Sequence, residues 1–320
     1  LKAIVQHTYG SPDVLQLQEI DSPRVGPEDV LIRVHAAGVD PGVWHLMTGL
    51  PYLVRLAVGV RRPRNPVRGL DVAGVVEAVG TKVTAFKPGD EVFGVGDGSF
   101  AEYACASQDR VHPKPANLSF EHAAAVPISA TTALQGLRAA NLQPGQKVLI
   151  IGAGGGVGSF AVQLARAMGA EVTGVCSTSK VEWVRSMGAH HVIDYTREGL
   201  AGGPYDVILD TAGNRELPAL RRVLASRGTV VLIGGEGGGR WFGGLGRQLW
   251  AMAVAAFSSQ KFRSIFALVN KADLAVLKER IEAGALTPVV DRSYALSEVP
   301  AAIRSLAEGH SRGKVVIKVV

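Results

Sequence analysis

The chain has 320 residues, 47% hydrophobic and 19% charged, and 34 basic against 28 acidic residues give it a net charge of +6. That length is generous for one core and comfortable for two domains, and the composition excludes a disordered or fibrous chain. Two cysteines, Cys105 and Cys176, sit far apart without metal-type spacing; they exclude a disulfide framework and fit a reducing cytoplasm.

The chain opens directly on a strand-like run, Lys2-Ala3-Ile4-Val5, with no secretory pattern before it, so a cytoplasmic location is expected. Strands are predicted at Ala3–Gln6, Leu15–Glu19, Asp29–Ala37, Leu70–Val79, Glu91–Phe93 and Phe100–Ala106. Proline and glycine punctuate them at Ser22-Pro23, Gly26-Pro27, Lys87-Pro88-Gly89-Asp90 and Asp97-Gly98. Many short strands with such turns point to a barrel or sandwich. Arg55, Arg61, Arg62, Arg64 and Arg68 crowd one stretch, but only Tyr52 stands near them. The aromatic interleaving of a nucleic-acid module is missing, and the stretch reads as a solvated loop.

From about Ser119 the period becomes helical. Strands at Val148–Ile151, Glu171–Val175, His191–Ile193, Asp206–Asp210, Thr229–Ile233 and Phe262–Ala267 then alternate with helices at Gly158–Met168, Lys180–Met187 and Glu216–Ala225. This alternation predicts a parallel, doubly wound sheet. Trp241–Phe257 is apolar but is interrupted by Arg247 and Gln248, so it reads as a buried or interface helix and not as a membrane span. A helix at Ala272–Ala283, the strand-like run Thr287-Pro288-Val289-Val290, a helix at Val299–Ala307 and a strand at Lys314–Val319 end the chain. The expected division is residues 1–120, 121–285 and a return segment 286–320 that rejoins the first domain.

The most informative run is Val148-Leu149-Ile150-Ile151-Gly152-Ala153-Gly154-Gly155-Gly156-Val157-Gly158, an apolar strand feeding a helix through glycines. Such a turn aims free main-chain N–H groups and a helix dipole at an anion, and positions without side chains let a pyrophosphate approach. In the dinucleotide register it reads Ala153-x-Gly155-x-x-Gly158, with Gly152 as an extra glycine. A site for NADH offers an acid at the end of the second strand, but that strand ends Cys176-Ser177-Thr178-Ser179-Lys180. Ser177, Thr178 and Lys180 suit a 2′-phosphate instead, which selects NADP(H); capping a helix is the competing use of the hydroxyls. Ala212, Gly213 and Asn214, and Gly234 and Gly235, follow later strands at the edge where cofactors bind in open sheets.

Further pieces carry a resemblance. Gly69-Leu70-Asp71-Val72-Ala73-Gly74-Val75-Val76-Glu77-Ala78-Val79-Gly80, Pro88-Gly89-Asp90-Glu91-Val92-Phe93-Gly94, Gly98-Ser99-Phe100-Ala101-Glu102-Tyr103, the glycine-rich turn and Gly313-Lys314-Val315-Val316 resemble the medium-chain dehydrogenase/reductase superfamily. The resemblance spans nearly the whole chain and is strongest to the zinc-independent quinone oxidoreductase branch, in its reticulon-interacting-protein-like group. It implies a GroES-like barrel carrying substrate, an inserted Rossmann domain carrying NADP(H), and a homodimer.

The same resemblance implies site residues. Thr132 matches a threonine near the nicotinamide, Tyr195 a tyrosine near the 2′-phosphate, and Lys314 a lysine that reaches the cofactor. Asp40 stands at the first zinc-ligand position of the zinc-dependent branch, where quinone-reducing relatives often have Asn; the ligating histidine position is Leu70, followed by Asp71. Asp40 and His45 lack a third ligand, so no metal is expected. Asp40, Tyr52 and Thr132 are the catalytic candidates, with Trp44 and His45 at the substrate. Asp40 donates to a carbonyl only if an apolar wall keeps it protonated. Without a metal to acidify an alcohol, reduction of a quinone or an α,β-unsaturated carbonyl is the expected reaction. A metal-free enoyl, aldehyde or ketone reductase and a non-catalytic NADPH sensor remain as alternatives.

Overall fold

The computed structural model describes residues 1–233, 239–241, 243, 244, 246, 258–309 and 311–320. The chain forms two compact units, one of Leu1–Thr131 with Leu268–Val320 and one of Thr132–Ala267. The helix Lys271–Glu282 therefore goes with the first unit.

Among the described residues, seven strands build the main sheet of the first unit around Asp29–Val39. One edge of this strand pairs with Asp71–Val79, while the other serves two partners: Tyr103–Ser107 along its first half and Lys314–Lys318 along its last residues. Val30, Ile32, Val34 and Ala36 alternate inward at 0% exposure, the period that a pleated strand demands. Glu91–Val95 and Val111–Pro113 extend the sheet on one side. On the other, Val290–Ala295 lies parallel to Lys314–Lys318, and the helix Val299–Ala307 makes the crossover that parallel strands require. Lys2–Val5 and Gln16–Glu19 form a separate hairpin. Ile32, Val34, Met47, Val76, Ile303 and Ile317 share one core.

Several elements differ from the sequence expectation for local reasons. Tyr103 and not Phe100 begins its strand, because the Phe100 N–H donates to Arg68 O and its carbonyl accepts from Ile4 N. The strand expected at Thr287–Val290 lies further on, at Val290–Ala295, an exposed edge without an alternating apolar pattern. A helix, Pro41–Thr48, stands where none was predicted. Its start is nevertheless written in the chain: Asp40 Oδ1 accepts from Gly42 N at 2.7 Å, Pro41 sits in the first turn, and Gly49 closes the helix at φ +62°.

Among the described residues, the second unit holds a six-stranded, wholly parallel sheet. From edge to edge its strands are His191–Asp194, Glu171–Cys176, Lys147–Ile151, Tyr205–Asp210, Leu224–Leu232 and Lys261–Ser264. Numbered along the chain this is 3-2-1-4-5-6, with the order reversing between the first strand and the fourth. The helices Gly156–Ala167, Val181–Ser186 and Leu217–Val223 connect the strands. Gly174 allows a close approach here, since a Cβ on it would lie 2.6 Å from Val184 Cγ1.

Candidate functional site

In the parallel unit, the expected cofactor residues that are described all follow the carboxyl ends of strands, on one edge of the sheet. Gly234 and Gly235 lie outside the described residues.

The glycine turn divides its work among three positions. Gly152 has φ +81° and makes the sharp bend, so the buried Ala153 in the next position needs no left-handed backbone. Gly158 is a packing glycine, because a Cβ there would lie 2.1 Å from Gly152 O. Gly155 caps the helix Gly156–Ala167, and a Cβ on it would meet only Gly152 O, at 3.4 Å. The space above it is therefore open within the protein. The N–H groups of Gly156, Val157 and Gly158 occupy the first turn and have no intrahelical acceptor. A concave, positively polarised main chain of this kind fits a pyrophosphate.

Lys180 is buried with its stem against Gly154, where an added Cβ would come within 2.6 Å of Lys180 Cδ. The Ser177 and Ser179 hydroxyls lie 3.4 Å apart beside it. Thr178 is committed elsewhere: its hydroxyl donates to Asp194 Oδ2 at 2.6 Å and contacts Thr196 Oγ1 at 2.8 Å. These hydroxyls, Thr178 first, hold the Asp194 carboxyl below its ordinary range, and Arg197 adds its charge at 3.5 Å. Tyr195 is half exposed, with the Arg215 guanidinium 5.7 Å from its ring centre. Arg215 escaped the sequence reading, although Ala212-Gly213-Asn214-Arg215 is a loop at a strand end. Gly213 has φ +68°, and its N–H donates to the buried Asp210 carboxylate at 3.0 Å. Ala212 is partly buried, Asn214 is exposed, and Thr132 is buried in the helix Pro127–Ala139.

The first unit builds a different feature, a buried cluster of Asp40, Asp71 and Lys314. Asp71 Oδ1 accepts from Ile128 N at 2.9 Å, and Oδ2 accepts from Lys314 Nζ at 3.0 Å, both residues being almost wholly buried. Gly38 makes room, since a Cβ on it would lie 2.6 Å from Asp71 Oδ2. Lys314, expected at the cofactor, donates to this carboxylate. Asp40 is 3% exposed; Oδ1 caps its helix, and Oδ2 is buried without a hydrogen-bond partner. Burial raises both carboxyls above their ordinary range, Asp71 to about 6, while the Lys314 charge pulls them down. His45 contributes a smaller charge effect on Asp40.

The remaining candidates line the same helix and the turn after it. Trp44 packs on the core of the unit. His45 Nδ1 lies 2.8 Å from Leu50 O, and because a carbonyl only accepts, this nitrogen carries the proton. Tyr52 lies under the Arg55 guanidinium at 4.7 Å. Asp71 is the functional candidate that the sequence reading did not select, and its signal was a carboxyl inside the apolar run Leu70–Val76.

These donors do not fit a zinc ion. Both Asp71 oxygens are used, an ammonium already sits beside them, and no described cluster of three His, Cys, Asp or Glu side chains is arranged to hold a metal. The thiols do not replace them: burial pushes Cys105 and Cys176 up to about 11, away from the thiolate form that a metal needs.

Comparisons with known proteins place the chain in a family. Residues 26–116 match the alcohol dehydrogenase GroES-like domain, and residues 187–317 match the family described as zinc-binding dehydrogenase. The chain is 34% identical to a pig quinone oxidoreductase, covering 98% of this chain and 95% of the relative. It is 33% identical to a chloroplastic NADPH-dependent alkenal/one oxidoreductase of Arabidopsis thaliana, covering 99% of this chain and 79% of the relative. The solved quinone oxidoreductase of Coxiella burnetii superposes with a TM-score of 0.89 at 29% identity, covering 100% of this chain and 99% of that one.

Proposed function

Because the chain belongs to the quinone oxidoreductase group of the medium-chain dehydrogenase/reductase superfamily, we propose that it is an NADPH-dependent reductase of quinones or α,β-unsaturated carbonyls. The observation that carries this reading is the glycine turn, with open space above Gly155 and Lys180 buried against Gly154. Gly152, Ala153, Gly154, Gly155, Gly156, Val157 and Gly158 would hold the pyrophosphate by main-chain N–H groups. Lys180, Ser177, Tyr195 and Arg215 would take the 2′-phosphate, two cations against a dianion. Thr178 would act indirectly, by keeping the Asp194 carboxylate hydrogen-bonded beside that site. Ala212, Gly213, Asn214 and Thr132 would line the rest of the cofactor's path.

Bound NADPH supplies the hydride; the chain's own residues supply position and a proton. Two carboxyls and one ammonium, all buried, carry a net negative charge if every group ionises. Such a charge is costly in a low-dielectric interior, and a proton on one carboxyl removes it. Asp71, with Ile128 N–H and the ammonium on its two oxygens, holds the negative charge better. Asp40 Oδ2 therefore keeps the proton and would be the group that donates it to the oxygen of a bound acceptor. Afterwards the Asp40 carboxylate faces the Lys314 charge until a solvent proton restores it. Tyr52, Trp44 and His45 would shape the substrate side. No metal is needed in this scheme, which removes the Lewis acid that alcohol oxidation uses. We place the enzyme in the cytoplasm as a homodimer; among the described residues no helix is long and apolar enough to cross a membrane.

Following NADPH and NADH oxidation against a quinone, an enone, an enoyl thioester and an aldehyde, with and without chelator, tests the proposal. Turnover of the quinone or enone with NADPH, indifferent to chelator, is expected. Preference for NADH, or loss of turnover on chelation, would overturn it.

A further inference from the structure

Residues 41–70 contain five arginines and neither aspartate nor glutamate. Those five arginines nearly equal the net charge of +6 for the whole chain, so the positive surplus is local. Two of them serve the interior. The Arg55 guanidinium lies between the Tyr9 and Tyr52 rings, at 4.4 and 4.7 Å, and donates to Gly49 O. Arg68 is buried and donates to Asn65 O and Leu46 O. Arg61, Arg62 and Arg64 are exposed, and among the described residues none of them pairs with a carboxylate.

Large apolar side chains are exposed in the same segment. Leu53, Leu56 and Val60 are 39%, 67% and 62% exposed, and the short helix Val54–Val58 buries none of its residues. Leu53 and Leu56, three residues apart, share one side of that helix, and Val60 follows the turn at Gly59. Unlike a scattered surface leucine, this is apolar surface joined to concentrated positive charge in twelve residues.

Charge and composition narrow what covers it. A second copy across a two-fold axis would set Arg61, Arg62 and Arg64 against themselves, which like-charge repulsion opposes. Nucleic acid would neutralise the guanidinium groups but leave Leu56 and Val60 wet, and no aromatic ring is exposed there for a base to stack on. An anionic bilayer face uses both kinds of side chain: apolar groups enter the acyl boundary while guanidinium groups meet lipid phosphates. We propose that the segment Leu53–Arg64 docks this protein reversibly on an anionic lipid surface. The docking does not rest on the catalytic reading, although apolar acceptors of the proposed class concentrate in such a surface.

Co-sedimentation of the full chain with large vesicles of phosphatidylcholine, with and without phosphatidylglycerol, tests the proposal at low and physiological salt. Partition is expected onto the anionic vesicles alone, weakening as salt rises. Each exposed arginine contributes about fivefold, so Arg61→Glu, Arg62→Glu and Arg64→Glu together should lower partition at least about a hundredfold. Leu56→Glu should lower it by about tenfold or more. Equal partition onto neutral and anionic vesicles, or none onto either, overturns the proposal using the unaltered protein. So does heparin binding as strong as vesicle binding and insensitive to Leu56→Glu, which would reduce the segment to a plain polyanion site.

Discussion

The two units offer their candidate sites in opposite ways. In the parallel unit the main chain does the work: a bend at Gly152, an open approach at Gly155 and a close contact at Gly158 leave N–H groups for an anion. In the strand-rich unit the work falls to buried charge, with Lys314 against Asp71 and an orphaned oxygen on Asp40. The first design tolerates side-chain change but not added bulk. The second tolerates bulk poorly too, since Gly38 lies against Asp71, but its sharper dependence is on charge balance.

The largest expected effect breaks the charged site. Asp71→Ala leaves the Lys314 ammonium buried without its carboxylate and should cost about 3–5 kcal/mol in denaturant unfolding. Adding Lys314→Met should recover much of that loss, because it removes the stranded charge. A cost for Asp71→Ala near zero would mean that the cluster is solvated. Glycine substitutions test the other site. Gly158→Ala, with no room for a Cβ, should destabilise by about 1–3 kcal/mol or more. Gly155→Ala should fold normally yet bind NADPH about one to two orders of magnitude more weakly by titration, since its methyl group would occupy the approach. Equal folding defects in the two variants would contradict the division of roles.

Next in size is Lys180→Ala, which removes one charge-assisted contact. It should weaken NADPH by roughly tenfold or more and leave NADH nearly unchanged, so the ratio of the two affinities is the readout. A parallel loss for both cofactors would assign Lys180 to packing over Gly154. The smallest change is expected from Thr178→Val. Its hydroxyl is spent on Asp194, so NADPH affinity should move by no more than about threefold. A large loss would return Thr178 to direct phosphate contact.

The same contrast explains what was legible in the sequence. The glycine turn, the parallel sheet and the strand-end positions are contiguous or periodic patterns, and residues 148–158 contain the whole of the candidate pyrophosphate turn. The charged cluster draws on residues 40, 71, 128 and 314, which only the folded sheet brings together, when Lys314–Lys318 pairs with the end of Asp29–Val39. Asp40 stands out in the sequence by its position, and Asp40, Pro41 and Gly49 spell a start and a stop, yet a helix of eight residues is too short for its period to show. Arg215 and the partnership of Thr178 with Asp194 were hidden for the same reason: they join loops that follow different strands.

The most direct measurement is the pH dependence of kcat for NADPH-driven enone reduction, compared between the wild type and Asp40→Asn. Burial raises the Asp40 carboxyl and an acid donates only while protonated, so wild-type turnover should fall as pH rises through that raised value. Asp40→Asn keeps a hydrogen-bond donor but has nothing to titrate, so it should turn over more slowly without that alkaline decline. An Asp40→Asn enzyme that keeps both the wild-type rate and its alkaline decline would show that the proton comes from elsewhere.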